Sequence, residues 1–198
     1  MTSTIERPAI RWRTVDIVVA AVLAVAFGLV FQGWNLLYSG VSAAFTGFPP
    51  AAGVMAGVWL IAGVVGALVI RKPGAAVFVE AIAATVSALL GSQWGLSTIV
   101  YGVVQGLAVE VVFAVLLYRR WGLTVAVLAG CAAGVAAAVT DFFFYYASWS
   151  VGYKGVYLVI VALSGAIIAG ALGWVLVRSL ARTGALAPFA AGRERRVT

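Results

Sequence analysis

The chain of 198 residues contains no histidine, one cysteine and two lysines, and each scarcity closes off some chemistry. Without histidine there is no Ser-His or Cys-His nucleophile pair, no His-ligated metal and no HExxH protease. The single Cys131 forms no internal disulfide and builds no thiolate metal site; it lies in an apolar run and reads as a small packing residue. Neither Lys72 nor Lys154 follows a glycine as a Walker A loop requires, so any ATP that drives this protein is hydrolysed by another chain. Charge is scarce too, at 10% of residues.

What is abundant is apolar surface. Hydrophobic residues make up 64% of the chain, more than a soluble domain of this size can hide behind its polar side chains. The solvent for most of the chain is therefore lipid. A hydrocarbon core of about 30 Å needs about 20 helical residues, and the sequence divides into six such runs, near 15–37, 51–70, 75–92, 95–117, 122–146 and 155–178. The expected fold is an all-α integral membrane protein, a six-transmembrane-helix bundle forming one membrane domain over 1–198. The third run is short and carries Glu80, and Gly91-Ser92-Gln93-Trp94-Gly95 leaves barely a turn before the fourth, so these two read as a helical hairpin.

A net charge of +7 would suggest nucleic acid in a soluble protein, but here the basic residues form short clusters between apolar runs, and no nucleic-acid partner is expected. Arg7, Arg11 and Arg13 precede the first run, Arg71 and Lys72 follow the second, and Arg119 and Arg120 follow the fourth. Five arginines lie from Arg178 to Arg196, while Lys154 alone falls on the opposite side. The positive-inside rule puts both termini in the cytoplasm. Six tryptophans fit interfacial belts, Trp12, Trp121 and Trp174 inside and Trp34, Trp94 and Trp149 outside. Trp59 does not: helical rise sets it roughly 18 Å from the inner boundary.

Carboxylates inside spans are the costly feature, each about 2.5 to 3.5 kcal/mol at a helix centre on insertion scales, so each needs a partner, water or a neutralised state. Glu80 and Glu110 each lie nine residues from an arginine, roughly 13 Å deep, and Asp141 lies about 30 Å from the inner boundary, near the outer mouth. No basic residue lies within a span to pair with them. Polar and aromatic residues gather toward the outer half: Trp34, Asn35 and Tyr38, then Gln93 and Trp94, then Tyr101 and Gln105, then Tyr145, Tyr146 and Trp149. Glu80, Ser87 and Trp94 recur on one helical stripe, and Asp141 and Tyr145 share a face. Aromatic faces attract positive charge, a carboxylate offsets it, and amides read ring nitrogens and amino groups, so the set suits a flat, polar, cationic small molecule. The candidate binding residues are Trp34, Asn35, Trp59, Glu80, Gln93, Trp94, Tyr101, Gln105, Glu110, Asp141 and Tyr145. Ala20, Ala24 and Gly28 form a small-residue stripe on the first span, suited to close helix packing within the chain or against a partner.

The segments Arg11-Trp12-Arg13-Thr14-Val15-Asp16, Ile70-Arg71-Lys72-Pro73-Gly74-Ala75, Leu89-Leu90-Gly91-Ser92-Gln93-Trp94-Gly95 and Val104-Gln105-Gly106-Leu107 resemble the YkoE family. The likeness covers nearly the whole chain and is weakest in the last two spans. It implies a substrate-binding S component of an energy-coupling factor (ECF) transporter in the bacterial plasma membrane. Such a protein captures thiamin or its hydroxymethylpyrimidine precursor from outside and works with a transmembrane coupling protein and two ATPase subunits. The ligand is then substrate and no cofactor is expected. The Ala20, Ala24, Gly28 stripe resembles the alanine-xxx-alanine docking motif of such components.

Two other readings compete. A self-sufficient, proton-coupled transporter of an organic cation would use Glu80, Glu110 and Asp141 as a relay. An intramembrane enzyme would have only an acid pair such as Glu80 with Asp141, whose estimated depths differ by over about 15 Å.

Overall fold

The computed structural model describes residues 11–193; Arg7, Arg195 and Arg196 of the basic clusters lie outside the described residues. Among those described, all regular structure is helical. Helix α1 (Thr14–Val41) is followed by a short 3₁₀ turn (Ser42–Phe45) and a 3₁₀ helix (Pro49–Leu60) that runs on as α2 (Ile61–Ile70). Then come α3 (Ala75–Leu89), α4 (Ser97–Val115) and α5 (Leu123–Phe144). The last long helix begins as α6 (Val151–Ser164), widens into a π-helical stretch (Gly165–Leu172) and returns to α geometry as α7 (Gly173–Arg182); a short α8 (Ala190–Arg193) ends the described chain.

Five of these helices are long and apolar enough to cross a membrane: Thr14–Phe45, Pro49–Ile70, Ser97–Val115, Leu123–Phe144 and Val151–Arg182. The protein is thus a multi-pass membrane protein. The third expected run is realised only as Ala75–Leu89, 15 residues, about 22 Å of helix and shorter than a hydrocarbon core.

Proline sits at both of the first positions of the 3₁₀ helix, where the N–H it lacks would have no intrahelical partner. The Pro49–Ile70 rod forms the centre of the bundle, 72% buried against 28% for the first span. Every residue from Ala62 to Ile70 is buried, as a helix apolar all round requires. On α1 only one stripe is buried, Asp16, Ala20, Ala24, Gly28, Phe31 and Asn35, while Val18, Val22, Leu29 and Leu36 point outward, as lipid-facing side chains do.

This stripe corrects the expectation of a partner surface at Ala20, Ala24 and Gly28. It is covered by the chain's own α3: a Cβ on Gly28 would sit 2.5 Å from that of Val86, and the two ends of the stripe bond the α3 side. There Asp16 pairs with Lys72, which also donates to the Arg11 carbonyl at 2.6 Å, and Asn35 donates to Ser87 at 3.0 Å. The small residues serve internal packing.

A second close seam joins α5 to the last helix, where a Cβ on Gly130 would lie 2.3 Å from the Gly165 carbonyl oxygen. Ser164 ties the last helix to the 3₁₀ helix, donating to Val54 O at 2.7 Å and accepting from Gly57 N at 3.0 Å. The ends of the bundle differ in chemistry. Arg13, Arg71, Arg119, Arg178 and Arg182 mark one end; Trp94, Tyr145, Tyr146 and Trp149 mark the other.

Candidate functional site

A cavity of about 280 Å³ opens between the helices toward the aromatic end. Its floor is set by a conflict between α3 and α4. Gly102 and Gly106 let α4 press against α3, since a Cβ at Gly102 would meet that of Ala84 at 2.4 Å. Across from this contact Gly63, where a Cβ would lie 3.0 Å from the Glu80 carboxylate, leaves room for a long side chain, and Glu80 fills it, 1% exposed. Its Oε2 accepts from the Gly63 amide, whereas its Oε1 is buried without a hydrogen-bond partner among the described residues. A buried acceptor of this kind costs about 1–3 kcal/mol or more. Beside it on α4, Gln105 is buried and lines the cavity, and its amide makes no hydrogen bond to a described residue.

One wall is an aromatic cluster. Trp59 meets Trp94 edge-on at 5.3 Å and Tyr38 at 5.4 Å, and Tyr38 lies 5.7 Å from Trp94. Asn35 fixes this cluster: its Oδ1 accepts from the Trp59 indole at 2.8 Å, while its amide donates to Ser87 and Gln32, each at 3.0 Å. The opposite wall is built on Asp141, whose two oxygens accept from the Tyr101 and Tyr157 hydroxyls, each at 2.6 Å. Tyr145 stacks on Tyr101 at 6.2 Å and meets Ser97 at 3.2 Å. Tyr146 closes the wall, stacked on Trp149 at 3.9 Å.

The cavity thus gathers eight of the expected residues, Asn35, Trp59, Glu80, Trp94, Tyr101, Gln105, Asp141 and Tyr145. Glu80 and Asp141 border the same space although helix counting set them well apart in depth. Asn35 lines it with its amide already bonded to the chain, so it positions Trp59 rather than offering donors.

Three expected residues are elsewhere. Trp34 stands behind Trp59 at 6.5 Å and gives its indole N–H to Met55 O at 3.0 Å. Gln93 is exposed in the connection between α3 and α4. Glu110 caps the far end of α3, accepting from Gly74 N at 2.6 Å, Ala76 N at 3.0 Å and the Tyr118 hydroxyl at 2.7 Å. Counting residues from Arg119 misplaced it, because α4 ends at Val115 and the chain reverses through left-handed Leu117 and Tyr118. A carboxylate at a helix N-terminus is satisfied by free amides and the helix dipole. Burial, and then the bond to Glu110, holds the Tyr118 phenol above its usual pKa.

Sequence reasoning left Tyr38, Tyr146 and Tyr157 out of the binding set. The signal for Tyr157 was present: Asp141, unpaired inside the bilayer, requires hydroxyl donors, and Tyr157 is an aromatic hydroxyl within the last long apolar helix.

Residues 15–136 match the family described as ABC-type cobalt transport system, permease component. The chain is 40% identical over 186 residues, 92% of each chain, to the permease protein YkoE of Bacillus subtilis (strain 168), whose name assigns it HMP/thiamine. It also superposes on the crystal structure of an S-component of ECF transporter with a TM-score of 0.89 and 39% identity, covering 94% of each chain. With this identity sustained along almost its whole length, the chain belongs to the YkoE family.

Proposed function

We propose that this protein is the substrate-binding S component of an ECF importer, capturing thiamin or its hydroxymethylpyrimidine precursor from outside the cell. A separate coupling protein and two ATPase subunits would drive release. The observation that carries the reading is the unpartnered Glu80 Oε1 beside the Gln105 amide on the floor of an aromatic cavity. An aminopyrimidine offers the donor that Glu80 lacks and ring nitrogens for the Gln105 amide. The faces of Trp59, Trp94 and Tyr38 and the carboxylate of Asp141 suit the cationic thiazolium. The family relative named for HMP/thiamine supports this ligand class. Cobalt fits the donor set poorly: among the described residues no three His, Cys, Asp or Glu side chains gather, and the chain has no imidazole to offer.

The topology in this reading has six spans, with α3 as the short one, in a single membrane domain. The arginine-rich end and both termini face the cytoplasm, so the cavity opens outward.

Isothermal titration of the purified protein in detergent tests the proposal, with riboflavin as comparator. Saturable one-to-one binding of thiamin or hydroxymethylpyrimidine at submicromolar concentration is expected, and heat from neither pyrimidine would overturn the ligand assignment. Because Glu80 and Asp141 share the cavity, a proton-coupled carrier has a physical basis too; uptake by the protein alone in liposomes carrying a proton gradient would transfer the assignment to it.

A further inference from the structure

The 3₁₀ helix Pro49–Leu60 is an unusual wall for a cavity. It runs for 12 residues, whereas 3₁₀ runs beyond about three or four residues are uncommon, because their hydrogen-bond geometry is poorer than that of an α-helix. Contacts from outside must therefore hold it in that form, and the last helix supplies them. A Cβ on Gly53 would lie 2.8 Å from Val161 and 3.2 Å from Tyr157, and one on Gly57 would lie 2.4 Å from the Ser164 carbonyl oxygen. Within this close seam Ser164 Oγ accepts from Gly57 N at 3.0 Å and donates to Val54 O at 2.7 Å. Those two backbone groups are three residues apart and face each other across a single 3₁₀ rung. In an α-helix the Gly57 amide would turn to the Gly53 carbonyl instead. The serine hydroxyl clasps the rung in its 3₁₀ form.

Ser164 is buried and does not line the cavity, so it reaches a ligand only through the wall it holds. That wall presents Ala52, Ala56 and Trp59. Its inner end is fixed, because every residue of α2 from Ala62 to Ile70 is buried. Relaxation to α geometry would turn the wall by about 20° per residue, the difference between the two helix types. Measured from Leu60, Ala56 would swing by about 80° and Ala52 by about 160°, replacing the small residues that leave the cavity open. The helix that carries Ser164 also carries Tyr157, which donates to Asp141 at 2.6 Å. One hydroxyl thus ties the aromatic wall to the carboxylate wall.

We propose that Ser164 is a positioning residue of the cavity, locking the wall of Ala52, Ala56 and Trp59 at its place opposite Asp141. The inference rests on the vitamin reading in one respect: the thiazolium of thiamin lies between the two walls, whereas hydroxymethylpyrimidine needs only the Glu80 and Gln105 floor.

Isothermal titration of the full chain in detergent tests this, with thiamin and hydroxymethylpyrimidine as probes and thermal unfolding to verify that each variant is folded. Ser164→Ala should weaken thiamin binding about tenfold and hydroxymethylpyrimidine binding by no more than about twofold. Ser164→Thr, which keeps the hydroxyl, should restore thiamin affinity to within about threefold of wild type, and Ser164→Cys, of similar shape with weaker hydrogen bonds, should fall between. A general loosening of the fold would lower both affinities alike, so equal losses, or no loss, in folded Ser164→Ala overturn the assignment. A ligand-free readout stands beside the titration. The fluorescence emission of each protein minus that of its Trp59→Phe counterpart isolates Trp59, and Ser164→Ala should shift this difference while Ser164→Thr leaves it in place. An unmoved Trp59 signal in Ser164→Ala overturns the positioning role whatever the ligands do. If wild type binds neither pyrimidine but the Trp59 signal moves, the vitamin reading falls and the positioning role stands.

Discussion

Residue by residue, the cavity separates groups that face inward unpaired from groups that hold others in place. Glu80→Ala removes the unpartnered oxygen, and thiamin affinity should fall at least about tenfold in titration calorimetry, the scale of a charged hydrogen bond in a buried site. Thermal stability should change little, because the buried unsatisfied acceptor leaves together with the bond to the Gly63 amide. Unchanged affinity would remove Glu80 from the site. Asn35→Leu should act differently, since it strands the Trp59 indole N–H and the Ser87 hydroxyl together. Unfolding stability should drop by about 1–3 kcal/mol, with weaker binding as the Trp59 ring loses its anchor. Equal melting of variant and wild type would show that Asn35 anchors nothing. Much of this was legible in the sequence, because an amide, a carboxylate and an off-belt tryptophan inside apolar spans have few places to go. What the sequence hid was direction. Asn35 and Gln105 are both amides on outer half-spans, and only the fold shows one amide bonded to the chain and the other facing the cavity.

At the level of elements, the spans were legible because a bilayer demands apolar length, and five of the six expected runs appear at full length. The failures came where helices stop. Glu110 was read at mid-membrane because a straight helix was assumed as far as the arginines, whereas α4 reverses at Leu117 and Tyr118. Glu110→Ala should therefore cost about 1 kcal/mol of stability through the lost cap on α3 and leave calorimetric affinity within about twofold. A tenfold loss of affinity at unchanged melting would restore it to the binding set. The small-residue stripe of α1 failed for another reason: glycine and alanine spacing says that a backbone comes close, not whose backbone it is. At the α5 seam the same close approach gives a sharper expectation. Gly130→Ala places its Cβ 2.3 Å from a carbonyl oxygen and should lower the thermal midpoint through about 1–3 kcal/mol of overpacking.

For the molecule as a whole, the arginine-rich end is knit by charge and the aromatic end by rings. Asp16 accepts from both Arg13 and Lys72, joining the start of α1 to the connection between α2 and α3, and the Trp12 indole donates to Pro73 O at 3.0 Å alongside. A double-mutant cycle of Asp16→Asn and Lys72→Met, read by detergent unfolding, should return a coupling energy of about 1.5–3 kcal/mol; additivity would show that the pair is incidental. The ring-built end carries a different consequence. Trp59 stands at 88° to Trp94 and 73° to Trp34, close enough for the indole transition dipoles to couple, and the fixed crossing angles make that coupling chiral. Far-ultraviolet circular dichroism, where the intense indole band absorbs, should therefore show an exciton couplet that Trp59→Phe erases. Any molecule that tilts one of these rings will change its shape, so the cavity wall serves as its own optical probe for unlabelled ligands.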